Sequence, residues 1–199
     1  MFQNIPKPIL DRMKELEAID AQDRQDGTPH IKRLRQIPPE TGKVLAFLAG
    51  MVPQQGAWLE VGTSAGYSAL WLSLAAKPRG KTLFTFELLP EKSALARETF
   101  KKASVEAVVE LKNGDARGHI GDFAEVAFCF IDCEKEMYAE IFELVAPNIV
   151  PGGLIVVDNV NSHKADLKVF IANVESDTSL TTVILPVGSG LMVSRKISD

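Results

Sequence analysis

Val126-Ala127-Phe128-Cys129-Phe130-Ile131 is a run of six uncharged residues that closes on Asp132. Apolar residues in succession, without polar alternation, predict a strand buried on both faces, as in the interior of a parallel sheet. Working outward, residues 57–61, 82–87, 108–112 and 153–158 read as further strands beside 126–132. The stretches 67–76, 90–103, 136–150 and 164–176 between or after them carry helical spacing. Strands alternating with helices predict an α/β fold, doubly wound, with a mostly parallel sheet covered on both faces.

The two ends of the chain depart from that rhythm. Ile9, Leu10, Met13, Leu16 and Ile19 recur at helical intervals, and Pro38-Pro39-Glu40 opens a second helix carrying Val44, Leu45, Phe47 and Leu48. No Ser/Gly linker follows, so residues 1–55 read as a helical N-terminal extension of a core at 56–199, the whole chain forming one domain. At the other end, 180–186 and 191–195 are strand-like, with only Val187-Gly188-Ser189-Gly190 between them. That loop is too short for a crossover helix, so a C-terminal antiparallel hairpin is expected.

Composition sets the function classes. Of 199 residues, 46% are hydrophobic and 24% charged, which supplies a sizeable core. The formal charge of -4 does not indicate broad electrostatic capture of nucleic acid and favours a small-molecule partner. No run is long and apolar enough for a membrane span, and the start of the chain lacks signal-peptide character. A cytoplasmic protein is expected, with Cys129 and Cys133 as free thiols rather than a disulfide or zinc pair.

In an open α/β sheet, ligands sit beyond the carboxyl ends of the strands. After the first strand comes Glu60-Val61-Gly62-Thr63-Ser64-Ala65-Gly66-Tyr67-Ser68. Gly62 permits a tight turn and Gly66 a close helix approach, but Ser64 stands where a dinucleotide fingerprint has its middle glycine. With Glu60 read at the mouth of the loop, a cationic or zwitterionic cofactor suits the site better than a pyrophosphate. Glu87 ends the second strand 27 residues later, in place to accept ribose hydroxyls. Asn113-Gly114-Asp115-Ala116 follows the third strand, where a polar turn can pin an adenine edge or simply form an Asx turn.

These loops, with Asp132-Cys133-Glu134-Lys135-Glu136-Met137-Tyr138 and Gly152-Gly153-Leu154-Ile155-Val156-Val157-Asp158-Asn159, resemble the class I S-adenosylmethionine-dependent O-methyltransferases of the catechol and caffeoyl-CoA type. The resemblance runs from about Ile37 onward. It implies a Rossmann-like, seven-stranded sheet and a cofactor pocket lined by Ile37, Glu60, Gly62, Ser64, Ser68, Glu87, Leu88, Asp115, Ala116 and Asp132. It also implies a homodimer. The family's divalent cation, Mg²⁺, Mn²⁺ or Ca²⁺, would fall on Asp132, Asp158 and Asn159, two carboxylates and an amide oxygen that suit a hard ion. Asp158 is expected at a solvent-facing loop.

Lys135 occupies the family's catalytic position beside Asp132. A divalent cation acidifies a coordinated hydroxyl and favours a neutral lysine nearby, so the pair can generate an oxyanion nucleophile. The resemblance therefore implies methyl transfer to a small acceptor with adjacent hydroxyls. Val160-Asn161-Ser162-His163 lacks the tryptophan and glycine of the plant enzymes, and Gly188-Ser189-Gly190 replaces Gly-Asp-Gly, so the acceptor itself does not carry over. His30, His119 and His163 share no ligand spacing, Lys32-Arg33-x-Arg35 reads as a solvated helix face, and Trp58, Trp71 and Phe84 read as core. Three rivals stand beside this reading: an RNA-nucleoside methyltransferase, a non-catalytic nucleoside-binding module and a nicotinamide dehydrogenase.

Overall fold

The structure, a computed structural model, describes residues 2–197. Seven strands form one sheet: β1 (Ala57–Val61), β2 (Leu83–Glu87), β3 (Val109–Asn113), β4 (Val126–Ile131), β5 (Ile149–Val157), β6 (Leu180–Leu185) and β7 (Leu191–Lys196), in the order β3-β2-β1-β4-β5-β7-β6. β1 to β5 pair in parallel, whereas β7 runs antiparallel to both β5 and β6. The short Gly-rich loop before β7 forces that reversal.

Six helices cover the sheet: α1 (Lys7–Asp23), α2 (Pro39–Ala49), α3 (Tyr67–Ala76), α4 (Pro90–Ala103), α5 (Tyr138–Val145) and α6 (Lys168–Ser176). Strand alternation divides the core into two layers. Trp58, Phe128 and Phe130 pack with Leu45, Leu70 and Phe100 on the face of α1 to α4. Leu59, Val61, Cys129 and Ile131 pack with Ile141, Phe142 and Phe170 on the face of α5 and α6. All six residues of β4 are buried, the condition its unbroken apolar run requires.

The N-terminal helices join this same body. α1 lies against α4, where the buried Arg12 donates from Nε (3.0 Å) and Nη2 (2.8 Å) to Thr99 Oγ1. Trp58 and Trp71 are core, while Phe84 is half-buried.

Several boundaries differ from the sequence expectation. The helix expected over 136–150 stops at Val145, because Pro147 sits in a tight 3-10 turn at Ala146–Asn148 and β5 starts at Ile149, four residues earlier than its glycines suggest. The helix expected from 164 begins at Lys168, after turns that run through 160–167. The basic segment 28–36 is not a helix face: apart from a single 3-10 turn at His30–Lys32 it is irregular.

Candidate active site

Strand order reverses between β1 and β4, so the loops following them diverge and open a crevice. A cavity of about 470 Å³ occupies it. Gly62 shows how tightly its floor is built: at φ +102° its missing Cβ would lie 2.1 Å from the Asp132 carbonyl oxygen. Gly66, at φ +87°, faces the Phe100 ring, where a Cβ would come within 2.6 Å. Both glycines are thus required by contacts inside the protein.

Ser64, between them, takes a left-handed conformation with φ 47°. Its amide donates to Glu87 Oε2 at 2.8 Å, and the Leu89 amide donates to Glu87 Oε1 at 2.9 Å. The carboxylate of Glu87 is thereby fixed at the end of β2. Ser68, Leu88 and Ile37 line the same cavity, as do Asp115 and Ala116 after β3. Asp115 also accepts from the Arg117 amide at 3.0 Å, so the Asx turn and the pocket wall are one feature.

Glu60 is placed differently from its expectation at the loop mouth. It is fully buried beneath the loop and does not line the cavity. Its Oε2 accepts from Thr85 Oγ1 at 2.6 Å, while Oε1 has no partner among the described residues. The reason is register: Glu60 alternates with Leu59 and Val61 and therefore points to the layer of Trp58. Burial raises its pKa from 4.5 to about 7, opposed by hydrogen bonds from Ser68 and Thr85.

That shift has a sign. The stability associated with a neutral Glu60 is fully present below pH 4.5 and is lost as pH rises to about 7. Glu60→Gln, which cannot ionise, is expected to escape a loss on the order of 3 kcal/mol. Melting curves of both proteins between pH 4 and 8 check this, with the variant gaining on the parent as pH rises. A constant difference would mean that Glu60 does not titrate in this window.

At the other end of the cavity, four residues converge from two loops. Asn159 Nδ2 donates to Asp132 Oδ1 at 2.8 Å, and Lys135 Nζ lies 3.4 Å from the same oxygen. Lys135 also donates to the Tyr138 hydroxyl at 2.6 Å and to the Cys133 carbonyl at 3.1 Å. Asp158 is 3% exposed rather than solvent-facing, because it continues β5 inward and its amide bonds to Ile131 O. Its Oδ1 has no partner among the described residues. Burial, then the charge of Asp132, raises its pKa to about 7. Asp132 is raised too, by burial, against the pull of Lys135.

All the residues expected at the site except Glu60 therefore line one cavity. Arg33, Arg35, His163 and Ser189, which the sequence left as surface or loop, line it as well. The sequence motif gives Tyr138 no role by itself; its position three residues after Lys135 is the signal that places it there. Cys129 and Cys133 are free thiols, as expected.

A parallel sheet closed by one antiparallel strand, with its cavity at the switch point, defines the class I methyltransferase fold. The chain belongs to the O-methyltransferase family, whose family model matches residues 12–197. It is similar to the catechol O-methyltransferase of Niastella koreensis, 33% identical over 129 residues, covering 62% of this chain and 58% of the relative. The catechol O-methyltransferase of Mycobacterium tuberculosis is 34% identical over 126 residues, covering 62% of this chain and 56% of the relative. The matches thus span just over half the length of these two relatives. In fold, an SAH-bound methyltransferase of Podospora anserina superposes with a TM-score of 0.79 at 22% identity, covering 98% of this chain and 89% of its own.

Proposed function

We propose that the protein is an S-adenosylmethionine-dependent O-methyltransferase acting on a small acceptor with adjacent hydroxyls, assisted by a divalent cation. The observation that carries this reading is one cavity with two chemically distinct ends. The glycine loop and Glu87 form a nucleoside-type wall, and Lys135, Asp132, Asp158 and Asn159 meet at the opposite end. The catechol O-methyltransferases it resembles, and the SAH-bound structural neighbour, support the same assignment.

The donor set fits a hard cation. Asp132 and Asp158 are both buried, the charge of Asp132 raises the pKa of Asp158, and Asp158 Oδ1 is a buried acceptor with no partner among the described residues. Asp132, Asp158 and Asn159 would hold the ion. When bound, S-adenosylmethionine would supply an electrophilic methyl on sulfur, and the cation would acidify an acceptor hydroxyl.

The chain's own contributions follow from its geometry. Glu87, fixed by the Ser64 and Leu89 amides, presents its remaining lone pairs to the ribose hydroxyls. Lys135 Nζ, held by Asp132 and Tyr138, would act in its neutral form, which a bound divalent cation favours, taking the proton of the acceptor hydroxyl and becoming an ammonium. The oxygen so exposed would be the acceptor for the methyl group that bound S-adenosylmethionine supplies, with the sulfur keeping its electron pair. Orientation of oxygen, methyl and sulfur in line supplies much of the rate.

Calorimetry tests the cofactor half. S-adenosylhomocysteine is expected to bind and NAD not to, and Glu87→Ala is expected to weaken that binding by about 1 to 3 kcal/mol, the cost of removing a charged acceptor. Tighter binding of NAD would replace this reading with a dehydrogenase. Methyl transfer measured against catechols, phenylpropanoids and RNA separates the acceptor classes; the charge of -4 favours the first two. A cytoplasmic homodimer completes the proposal, and light scattering in solution reads its mass.

A further inference from the structure

The irregular segment 28–38 is bound to the loops around the cavity by contacts from several elements. Asp23 Oδ2, at the end of α1, accepts from the Leu34 amide at 3.2 Å. Ser64 Oγ donates to the Leu34 carbonyl at 2.6 Å. Arg35, with φ 53°, reaches Glu134 Oε1 at 2.9 Å, and its charge is felt at Asp132. Segment residues from His30 to Pro38 contribute to the cavity wall. The segment is thus a strap that runs from the nucleoside end to the Lys135 end.

One tie differs from the rest. Lys92, in the first turn of α4, is 6% exposed and lines the cavity. Its Nζ donates to the consecutive carbonyls of Lys32, at 3.3 Å, and Arg33. Main-chain oxygens, not a carboxylate, hold this ammonium, and Glu87 acts on it only through its charge. A buried cation in the first turn of a helix is unfavourable twice, through desolvation and through the helix dipole. The Arg35–Glu134 pair is far more exposed, with side chains at 31% and 59%, and an ion pair of that kind contributes about 0 to 1 kcal/mol. Lys92 is therefore the buried charged anchor of the strap.

We propose that Lys92 is a positioning residue: by holding the Lys32 and Arg33 carbonyls it keeps the 28–38 strap over the nucleoside pocket beside Glu87. Ile37 and Arg35 are thereby in place before the acceptor enters. This rests on the methyltransferase reading, since the pocket it covers is the one assigned to S-adenosylmethionine.

The strap carries its own reporter, because trypsin can cut after Lys32, Arg33 and Arg35. In the parent protein, S-adenosylhomocysteine is expected to slow those cuts. Lys92→Met keeps most of the apolar stem and loses the ammonium; it is expected to speed the strap cuts and to weaken S-adenosylhomocysteine binding, each about tenfold, with little change in melting temperature. Lys92→Arg is expected to restore both, since it retains donors and charge. If Lys92→Met does not fold, Lys92→Gln, which loses the charge and ends one bond short of the Nζ position, carries the same comparison.

The outcomes separate cleanly. If S-adenosylhomocysteine gives the parent no protection, the cofactor reading fails before Lys92 is tested. If the parent is protected and Lys92→Met behaves like it, the positioning role is wrong. Cuts that accelerate equally throughout the chain, with a lowered melting temperature, would make Lys92 a structural residue and overturn the proposal.

Discussion

Lys135→Met is expected to lower turnover about 10²- to 10⁴-fold, the range a positioned general base contributes, while S-adenosylhomocysteine affinity stays within about twofold. The separation follows from where Lys135 sits. Its contacts are Asp132, the Cys133 carbonyl and Tyr138, all on the loop after β4 and the start of α5, and none is on the Glu87 wall. The substitution also removes the cation that offsets burial at Asp132, so that carboxyl is pushed further upward. Assays at pH 8 and above, with saturating cation, keep that secondary effect from imitating the loss of a base. Single-turnover rates and calorimetry on the same preparations read the two quantities. Unchanged turnover would remove Lys135 from the chemistry, and a parallel loss of affinity would make it a pocket residue.

The fold was legible where sequence pattern and physical environment coincide. β4 has no polar residue, and only burial on both faces accommodates it; the five-residue loop 186–190 before β7 can close a hairpin but cannot span a crossover. Boundaries were less legible where one residue serves two neighbours. Ile149 and Val150 continue a helical apolar pattern, yet they already belong to β5, because the chain enters the sheet before its glycines. The basic segment departs from its helical expectation for a related reason: its charges at 32, 33 and 35 suggest a helix face, but Arg35 adopts φ 53° and the segment bonds outward to Ser64, Lys92 and Glu134. Those partners lie 30 to 99 residues away, beyond any local rule.

The site was legible as a list of positions and less so as an arrangement. Loops after parallel strands share one edge, so Gly62, Glu87, Ala116, Asp132 and Asp158 could be placed together from topology alone. Depth could not. Glu60 is one residue from the strand end and points below the sheet surface, whereas Asp158, the first residue past β5, is carried inward by its bond to Ile131. A pattern identifies which residue follows a strand; side-chain direction depends on the register with β4, which pairs Val61 with Ile131 and Ile131 with Val157.

The depth of Asp158 changes what its removal does. Its pKa of about 7 means that the stability linked to the neutral carboxyl is present below pH 3.8 and lost as pH rises through 7. Asp158→Asn is nearly isosteric and cannot ionise, so without cation it is expected to melt above the parent at pH 8, by about 2–4 °C for each kcal/mol relieved, with a smaller gap at pH 5. Its activity is expected to fall about 10²-fold or more, as that of the parent does under chelation, because a hydroxyl no longer acidified by the ion stays protonated. Mg²⁺ or Mn²⁺ is expected to restore the chelated parent and to leave the variant unchanged. Calorimetric heat on adding Mg²⁺ is expected for the parent and absent for the variant, while both bind S-adenosylhomocysteine alike, since Asp158 is remote from Glu87 along the strand edge. If chelated parent and Asp158→Asn both methylate catechol at the ordinary rate, the cation has no part in the reaction. Lys135 would then remove the hydroxyl proton unaided, and the cost of burying Asp158 beside Asp132 would need a different reason.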